Sequence, residues 1–316
     1  MRGYHMETFL VTGGGGFIGS NLVKALVSQG EKVRVLDNFS TGKKENLMDV
    51  LDRIELIEGD IRDVEVVNRS VQGVDYILHQ AALPSVPRSI ADPKSSTSVN
   101  IDGTVNLLVA AKDFGVRKFV MASSSSVYGD TPTLPKHENM HPNPLSPYAL
   151  TKLADEQYCQ IFSRIYGIKT VCLRYFNVFG PGQDPNSQYA AVIPKFIISL
   201  LQDLPPTVFG DGEQSRDFTF IENVVQANLL AARSDVSDGT PFNIACGQQI
   251  SLNELLIELG AILSKKVTPT YHPPRPGDVK HSLADIERAK KYLGFRPVVA
   301  TREGLKKTVD WFSRLY

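Results

Sequence analysis

The chain has 316 residues, 42% of them hydrophobic and 22% charged, an ordinary globular composition with room for two lobes. Lys plus Arg and Asp plus Glu both number 34, so no overall field draws nucleic acid or an anionic membrane, and an anionic ligand needs local groups to hold it. Cys159, Cys172 and Cys246 lie far apart in apolar segments, which predicts buried thiols rather than a disulfide framework or a structural metal; with no membrane-length apolar run and no room for a leader, the cytoplasm is the expected compartment.

The first element, Thr8 to Val11, reads as a buried parallel strand. Phe17 to Ser28 reads as a helix from the spacing of Ile18, Leu22, Ala25 and Leu26. Between them lies VTGGGGFIGS, the strand-to-helix turn that places a pyrophosphate on a helix N-terminus. Glycine suits it because the turn needs unusual backbone angles and because a side chain would keep phosphate away from the amides. GxGxxG (Gly14, Gly16, Gly19) and GxxGxxG (Gly13, Gly16, Gly19) both fit, so the spacing leaves the subfamily open. The second strand, Lys32 to Leu36, runs into Asp37, 18 residues beyond Gly19, where an acid meets the adenosine ribose. A carboxylate there accepts from the ribose hydroxyls and repels a 2′-phosphate, which favours NAD over NADP.

Further strands are expected at Ile54 to Ile57, Tyr76 to His79, Lys118 to Met121 and Thr170 to Leu173, with helical patterns between most of them. This alternation predicts an α/β fold, a Rossmann-type doubly wound parallel sheet with ligands at the carboxyl ends of the strands. After Arg174 prolines break the pattern into short pieces, as in a smaller α/β substrate lobe. Ile221 to Ala232 and Phe242 to Ala245 regain βα character and return to the main sheet. The expected division is a nucleotide-binding domain over 1–174, with a return segment at 216–245, and a substrate lobe from 175–215 and 246–316.

Tyr148 and Lys152 are four apart in SPYALTKLADEQY, on one face of an expected helix with Pro147 near its start. A free tyrosine, with a pKa near 10, is a poor base at neutral pH and needs positive charge beside it. A cation about 4 Å away at an effective dielectric near 20 is worth on the order of 4 kcal/mol, which Lys152 can supply. Upstream, the strand Lys118 to Met121 runs into ASSSSVYG, which sets serine hydroxyls on the ligand face; Ser124 would hydrogen-bond the substrate oxygen that Tyr148 deprotonates.

In this order, TGGGGFIG, LDNFSTG, GDIRD, HQAA, SSSSVYG, SPYALTK, RYFNVFGPGQDP, SRDFTFI and RPGDVKHSLADI resemble segments of nucleotide-sugar 4-epimerases, in the extended branch of the short-chain dehydrogenase/reductase family, over nearly the whole chain. SVPRS at Ser85 to Ser89, RYFNVFG at Arg174 to Gly180, QYAAVIPKF at Gln188 to Phe196 and GDVKHS at Gly277 to Ser282 are similar to the group acting on UDP-N-acetylglucosamine and UDP-glucose. The resemblance implies that Tyr148 takes the proton of the sugar 4-hydroxyl while C4 gives its hydride to NAD. The 4-keto sugar then turns over and takes the hydride back on its other face. By the same resemblance Gly13, Gly16, Phe17, Ile18 and Gly19 cradle the cofactor pyrophosphate. Asp37, Asn38, Ser40, Thr41 and Gly42 hold its adenosine half, and Asp60 and Ile61 flank the adenine. Gln80, Ala81, Ala82, Lys152 and Phe176 complete the cofactor site. Ser85, Arg88, Ser124, Ser125, Tyr148, Asn177, Gln183, Val192, Arg216, Arg275, Asp278 and Ser282 are implied to face the UDP-sugar. Arginine forks suit the diphosphate of a chain with no net charge. Ser282 stands where this family sets the room beside the sugar 2-substituent, so a small residue admits an N-acetyl group. A homodimer is also implied, through the helices at Ser95 to Phe114 and Tyr148 to Ile165.

Three other readings compete. Dehydratases of the family place an Asp-Glu pair where this chain has Ser125 and Ser126. A UDP-glucuronate 4-epimerase or decarboxylase needs a cation for the 6-carboxylate, and Arg88 could supply it. An NAD-sensing regulator with a retired site would be expected to have lost one of Ser124, Tyr148 and Lys152; all are present.

Overall fold

The computed structural model describes residues 6–185, 192–274 and 280–316. The first six strands are β1 (Thr8–Thr12), β2 (Lys32–Asp37), β3 (Glu55–Glu58), β4 (Tyr76–His79), β5 (Lys118–Ser124) and β6 (Thr170–Tyr175). The short strands β7 (Val178–Phe179), β8 (Thr207–Phe209), β9 (Ser215–Arg216) and β10 (Thr219–Phe220) precede β11 (Asp238–Ile244), and β12 (Ile250–Ser251) and β13 (Thr270–His272) follow it. Seven of these form one sheet in the order β3-β2-β1-β4-β5-β6-β11, parallel throughout. The order reverses between β1 and β4, and a crevice opens at such a switch point beyond the strand ends. As the sequence pattern implied, the late segment rejoins the sheet: Phe242 pairs with Leu173 and Ile244 with Tyr175.

The helices are α1 (Phe17–Ser28), α2 (Val64–Val71), α3 (Val86–Ala91), α4 (Pro93–Thr97), α5 (Gly103–Asp113), α6 (Pro147–Tyr166), α7 (Val192–Leu201), α8 (Ile221–Arg233), α9 (Leu252–Leu263), α10 (Glu287–Leu293) and α11 (Thr301–Phe312). Alternation along each strand decides which helices cover which face. Phe9, Val11, Val33, Val35, Tyr76 and Leu78 point to α1 and α8, while Leu10, Leu36 and Ile77 point to α2, α5 and α6. The first of these cores runs on without a break into α7, α9 and α11 through Phe196, Leu255 and Leu305, so the smaller lobe shares its packing with the sheet. A satellite core of Val127, Tyr128, Phe176, Ala245, Ala284 and Ile286 sits beneath the crevice. The helical stretch expected over Ser95 to Phe114 is interrupted by a π-turn at Ser98–Asp102, which carries buried Asn100 toward the site.

Candidate active site

The pyrophosphate cradle is built where β1 enters α1. Gly13 has φ +68°, and a Cβ on it would lie 2.7 Å from the Ala81 nitrogen; a Cβ on Gly19 would overlap the Gly13 carbonyl. Helix α1 starts at Gly16 with no side-chain cap and no acid in its first turn, so its leading amides are left for an anion. Phe17 and Ile18 line this turn half-buried. These features fit a dinucleotide.

On the adenosine side, Asp37 is 8% exposed, and its two oxygens accept the amides of Phe39 at 2.7 Å and Gly15 at 2.8 Å. Burial raises its pKa and these amides pull it back down. Asn38 donates to Asp60 at 2.9 Å and accepts the Ser40 amide at 3.0 Å. Arg62 binds Asp60 through Nε and a terminal nitrogen at 2.9 and 2.7 Å, and holds that carboxyl down at about 2. Ser40 and Thr41 are exposed, Gly42 packs on Gly15, and Ile61 is buried against Gly103. Lys43 and Asp184 pair at 3.0 Å and tie this loop to the one carrying Gln183.

At the end of β4, Gln80 donates to Asn228 at 3.2 Å and accepts from the Tyr175 hydroxyl at 3.3 Å, while the Ala81 amide donates to Thr12 Oγ1; Ala82 follows, half-buried. Beneath them His79 is 1% exposed, its Nδ1 2.7 Å from Thr12 Oγ1 and its Nε2 2.9 Å from Thr104 Oγ1. Thr104 gives its own proton to the Asn100 carbonyl, so it accepts from Nε2–H, and Thr12 donates to Nδ1. The ring is therefore neutral, and burial with Lys152 nearby lowers its pKa to about 3. Phe176 is fully buried in the satellite core.

Tyr148 and Lys152 lie one turn apart at the start of α6. Ser146 caps that helix at the Ala149 amide, 3.1 Å away, Pro147 occupies its first turn, and Ser89 Oγ accepts the Tyr148 amide at 3.0 Å. Lys152 is 3% exposed, with its ammonium 3.7 Å from Asp155. The adjacent Glu156 is held by Arg174 through two bonds of 2.8 and 2.7 Å, all of it buried. Ser124 Oγ accepts the Ser126 amide at 3.2 Å and caps the next turn, a bond that does not use its own proton. Ser125 follows, half-buried, and Ser126 Oγ is buried with no partner among the described residues.

The smaller lobe closes the rim. Ser85 has φ +104° and caps α3 at the Arg88 amide, and both residues are half-buried. Asn177, at φ +35°, donates to the Asp217 carbonyl at 3.0 Å; Gln183 donates to the Val178 carbonyl at 3.1 Å, and its buried oxygen has no partner among the described residues. Arg216 bonds the carbonyls of Ser215 and Lys280 at 2.9 and 3.2 Å, and the Ser282 amide reaches Ser215 at 3.0 Å. Val192 begins α7, half-buried. Arg275 and Asp278 lie outside the described residues. Beside Arg216, fully buried Asp217 gathers the amides of Cys246, Gly247 and Ala284; burial pushes its carboxyl up to about 7 against that pull.

The strand ends thus bring the turn, Asp37, Gln80, Ser124 and the Tyr148–Lys152 face to one rim. Sequence reading passed over Asn100, His79, Thr104, Asp155 and Asp217. Asp217 lies inside SRDFTFI, His79 inside HQAA, Asp155 inside SPYALTKLADEQY, and Asn100 and Thr104 inside the Ser95 to Phe114 helix, all segments already singled out for other residues.

Comparison with known proteins agrees with this geometry. Residues 9–245 match the NAD dependent epimerase/dehydratase family. The UDP-glucose 4-epimerase of Mycolicibacterium smegmatis is 40% identical over 96% of this chain and 97% of its own. A UDP-N-acetylglucosamine 4-epimerase from Methanobrevibacter ruminantium, solved with UDP-N-acetylmuramic acid, superposes with a TM-score of 0.94 at 42% identity, covering 98% of this chain and 99% of that one. A Thermus thermophilus UDP-glucose 4-epimerase in complex with NAD gives 0.87 at 37% identity over 96% and 98%.

Proposed function

Since this chain belongs to the NAD-dependent epimerase/dehydratase family and is an enzyme of the UDP-sugar 4-epimerase kind, we propose that it interconverts UDP-N-acetylglucosamine with UDP-N-acetylgalactosamine, and UDP-glucose with UDP-galactose. The observation that carries the reading is the placement of Tyr148 one turn before buried Lys152 on α6, which packs against β5, the strand that ends at Ser124. Bound NAD supplies the acceptor and donor of the C4 hydride. Tyr148 takes the proton of the 4-hydroxyl, Ser124 hydrogen-bonds the same oxygen, and Lys152 supplies the charge that makes tyrosine a base. Tyr148 then returns the proton to the 4-keto oxygen after the sugar has turned over. Arg216 and Arg275 supply guanidinium groups to the diphosphate, Asp278 binds the UDP elsewhere, and Asn177, Gln183, Val192, Ser85 and Arg88 line the sugar-nucleotide cleft.

Half-buried Ser282 supports activity on N-acetylated sugars, since a hydroxymethyl leaves room that a ring would fill. The protein acts as a homodimer through α5 and α6, which together expose Val109, Phe114, Leu150, Tyr158, Ile161, Ile165 and Tyr166. Its proposed compartment is the cytoplasm; no helix of the described residues is long and apolar enough to cross a membrane.

Incubation of the NAD-loaded protein with each UDP-sugar, followed by sugar analysis, tests the assignment. Epimerised hexosamine is the expected product, and turnover of UDP-glucuronate alone would overturn it. In Tyr148→Phe epimerisation should fall by about 100-fold or more with NAD retained. Light scattering should report a dimer at micromolar concentration.

A further inference from the structure

Asp155 has no part in the reaction as derived so far, yet it is fully buried and its two carboxylate oxygens have no hydrogen-bond partner among the described residues. A carboxylate is not left in that state without a compensating charge. The group facing it is the Lys152 ammonium, 3.7 Å away across one turn of α6, itself almost wholly buried.

The other charged or titratable groups packed around this pair are committed elsewhere. On α6, Glu156 is engaged by Arg174 of β6 through both oxygens. From β4, His79 is held neutral between Thr12 and Thr104 and carries no charge to offer. From α5, Thr104 has given its proton to the Asn100 carbonyl. On β6, the thiol of Cys172 is buried, and its pKa is pushed well up by that burial and by Cys159. Among the described residues Asp155 is the anion left to balance Lys152.

We propose that Asp155 is a positioning residue of the reaction, the buried counter-ion that keeps Lys152 charged and held to the inner face of α6, one turn from Tyr148. The inference rests on Lys152 being the group that activates Tyr148. Positions 148, 152 and 155 share one helix face, so the carboxylate sits behind the lysine as seen from the tyrosine. A buried ammonium without an anion gives up its proton more readily, and an oxidised nicotinamide beside it strengthens that tendency. Burial pushes the Asp155 carboxyl up to about 7 against the downward pull of Lys152 and of the neighbouring Thr104 hydroxyl, and the Lys152 part of that pull is the reciprocal sign of the same dependence.

The test is a pH profile of kcat/KM for the NAD-loaded protein and its variants Asp155→Asn, Asp155→Ser and Asp155→Glu. The two neutral variants should lose activity on the alkaline side at least about one pH unit earlier than wild type, with KM within about twofold, and Asp155→Glu should restore the limb. A readout free of any sugar substrate accompanies it: the ε-carbon resonance of Lys152 in protein made with isotope-labelled lysine, assigned by its loss in Lys152→Arg. That resonance should titrate at least about one unit earlier in the neutral variants. If wild type turns over no UDP-sugar but the resonance still moves, the substrate assignment fails and the counter-ion role stands. An unmoved resonance and limb would overturn the proposal, as would unfolding of both neutral variants at neutral pH, which would make Asp155 a folding residue.

Discussion

The Asp37 carboxylate closes directly on the glycine turn, taking the Gly15 amide on Oδ2 at 2.8 Å while Oδ1 takes Phe39 at 2.7 Å. One side chain therefore shapes the turn, and in the proposed function its remaining lone pairs are those offered to the ribose. An asparagine keeps one acceptor oxygen, but its amide would point N–H at N–H at the other contact. Asp37→Asn should lower NAD affinity by about tenfold or more, given a typical worth of about 1.5–3 kcal/mol for a hydrogen bond to a charged group. NAD content after purification, measured against released nucleotide, checks this; full retention would show that the carboxylate acts only on the loop.

The glycines of the turn divide by what a methyl group would meet. Gly13 and Gly19 are required by the chain itself, since added Cβ atoms would press on Ala81 and on the Gly13 carbonyl. Gly16 is different: its backbone at φ −77° and ψ 174° suits any residue, and a Cβ would meet only the Gly13 carbonyl oxygen at 3.2 Å. The fold tolerates a side chain there, whereas a phosphate approaching the α1 amides does not. Gly16→Ala should thus melt within a few degrees of the cofactor-free wild type, yet purify with little or no NAD. Calorimetry beside cofactor analysis separates the two, and equal destabilisation of Gly16→Ala and Gly19→Ala would reverse the assignment.

Much of this arrangement could be read from the residues because local signals and tertiary structure agree. The glycine turn, the acid after the second strand and the tyrosine-lysine pair are set by short-range spacing, and the strand ends carry them to one rim. Long-range pairings were less legible. Nothing in YALTKLADEQY says that Asp155 lies against a lysine with no other anion among the described residues, because burial from α5 and β4 decides that. The π-turn at Asn100 arises where the chain must bring Asn100 Nδ2 to Thr151 Oγ1 at 3.0 Å, a demand from α6 that helical periodicity cannot contain.

Ser282 tests the substrate class. Its amide is anchored to the Ser215 carbonyl at 3.0 Å, so the backbone at this point is fixed and a larger side chain must grow into neighbouring space. Ser282→Tyr should abolish turnover of the N-acetylated sugar and leave UDP-glucose epimerisation within a few-fold of wild type. Parallel rate measurements on the two substrates decide; equal loss on both would remove Ser282 from specificity.

His79 ties acid stability to the floor of the site. Both ring nitrogens are engaged as a neutral imidazole, and its pKa lies at about 3, below the ordinary histidine value of 6.5. Because the folded-state value is depressed, the stabilisation is fully present above pH 6.5. It is lost as pH falls toward about 3, since the unfolded chain binds a proton that the folded one refuses. His79→Gln removes that proton from the balance. It should cost stability at pH 7, where the Thr12 and Thr104 hydrogen bonds are disturbed, but its stability should decline less steeply below pH 6.5, by up to about one proton per molecule. Denaturant titrations across that range give the two slopes, and parallel acid limbs would mean that other groups, such as Asp60 with its carboxyl at about 2, govern acid unfolding.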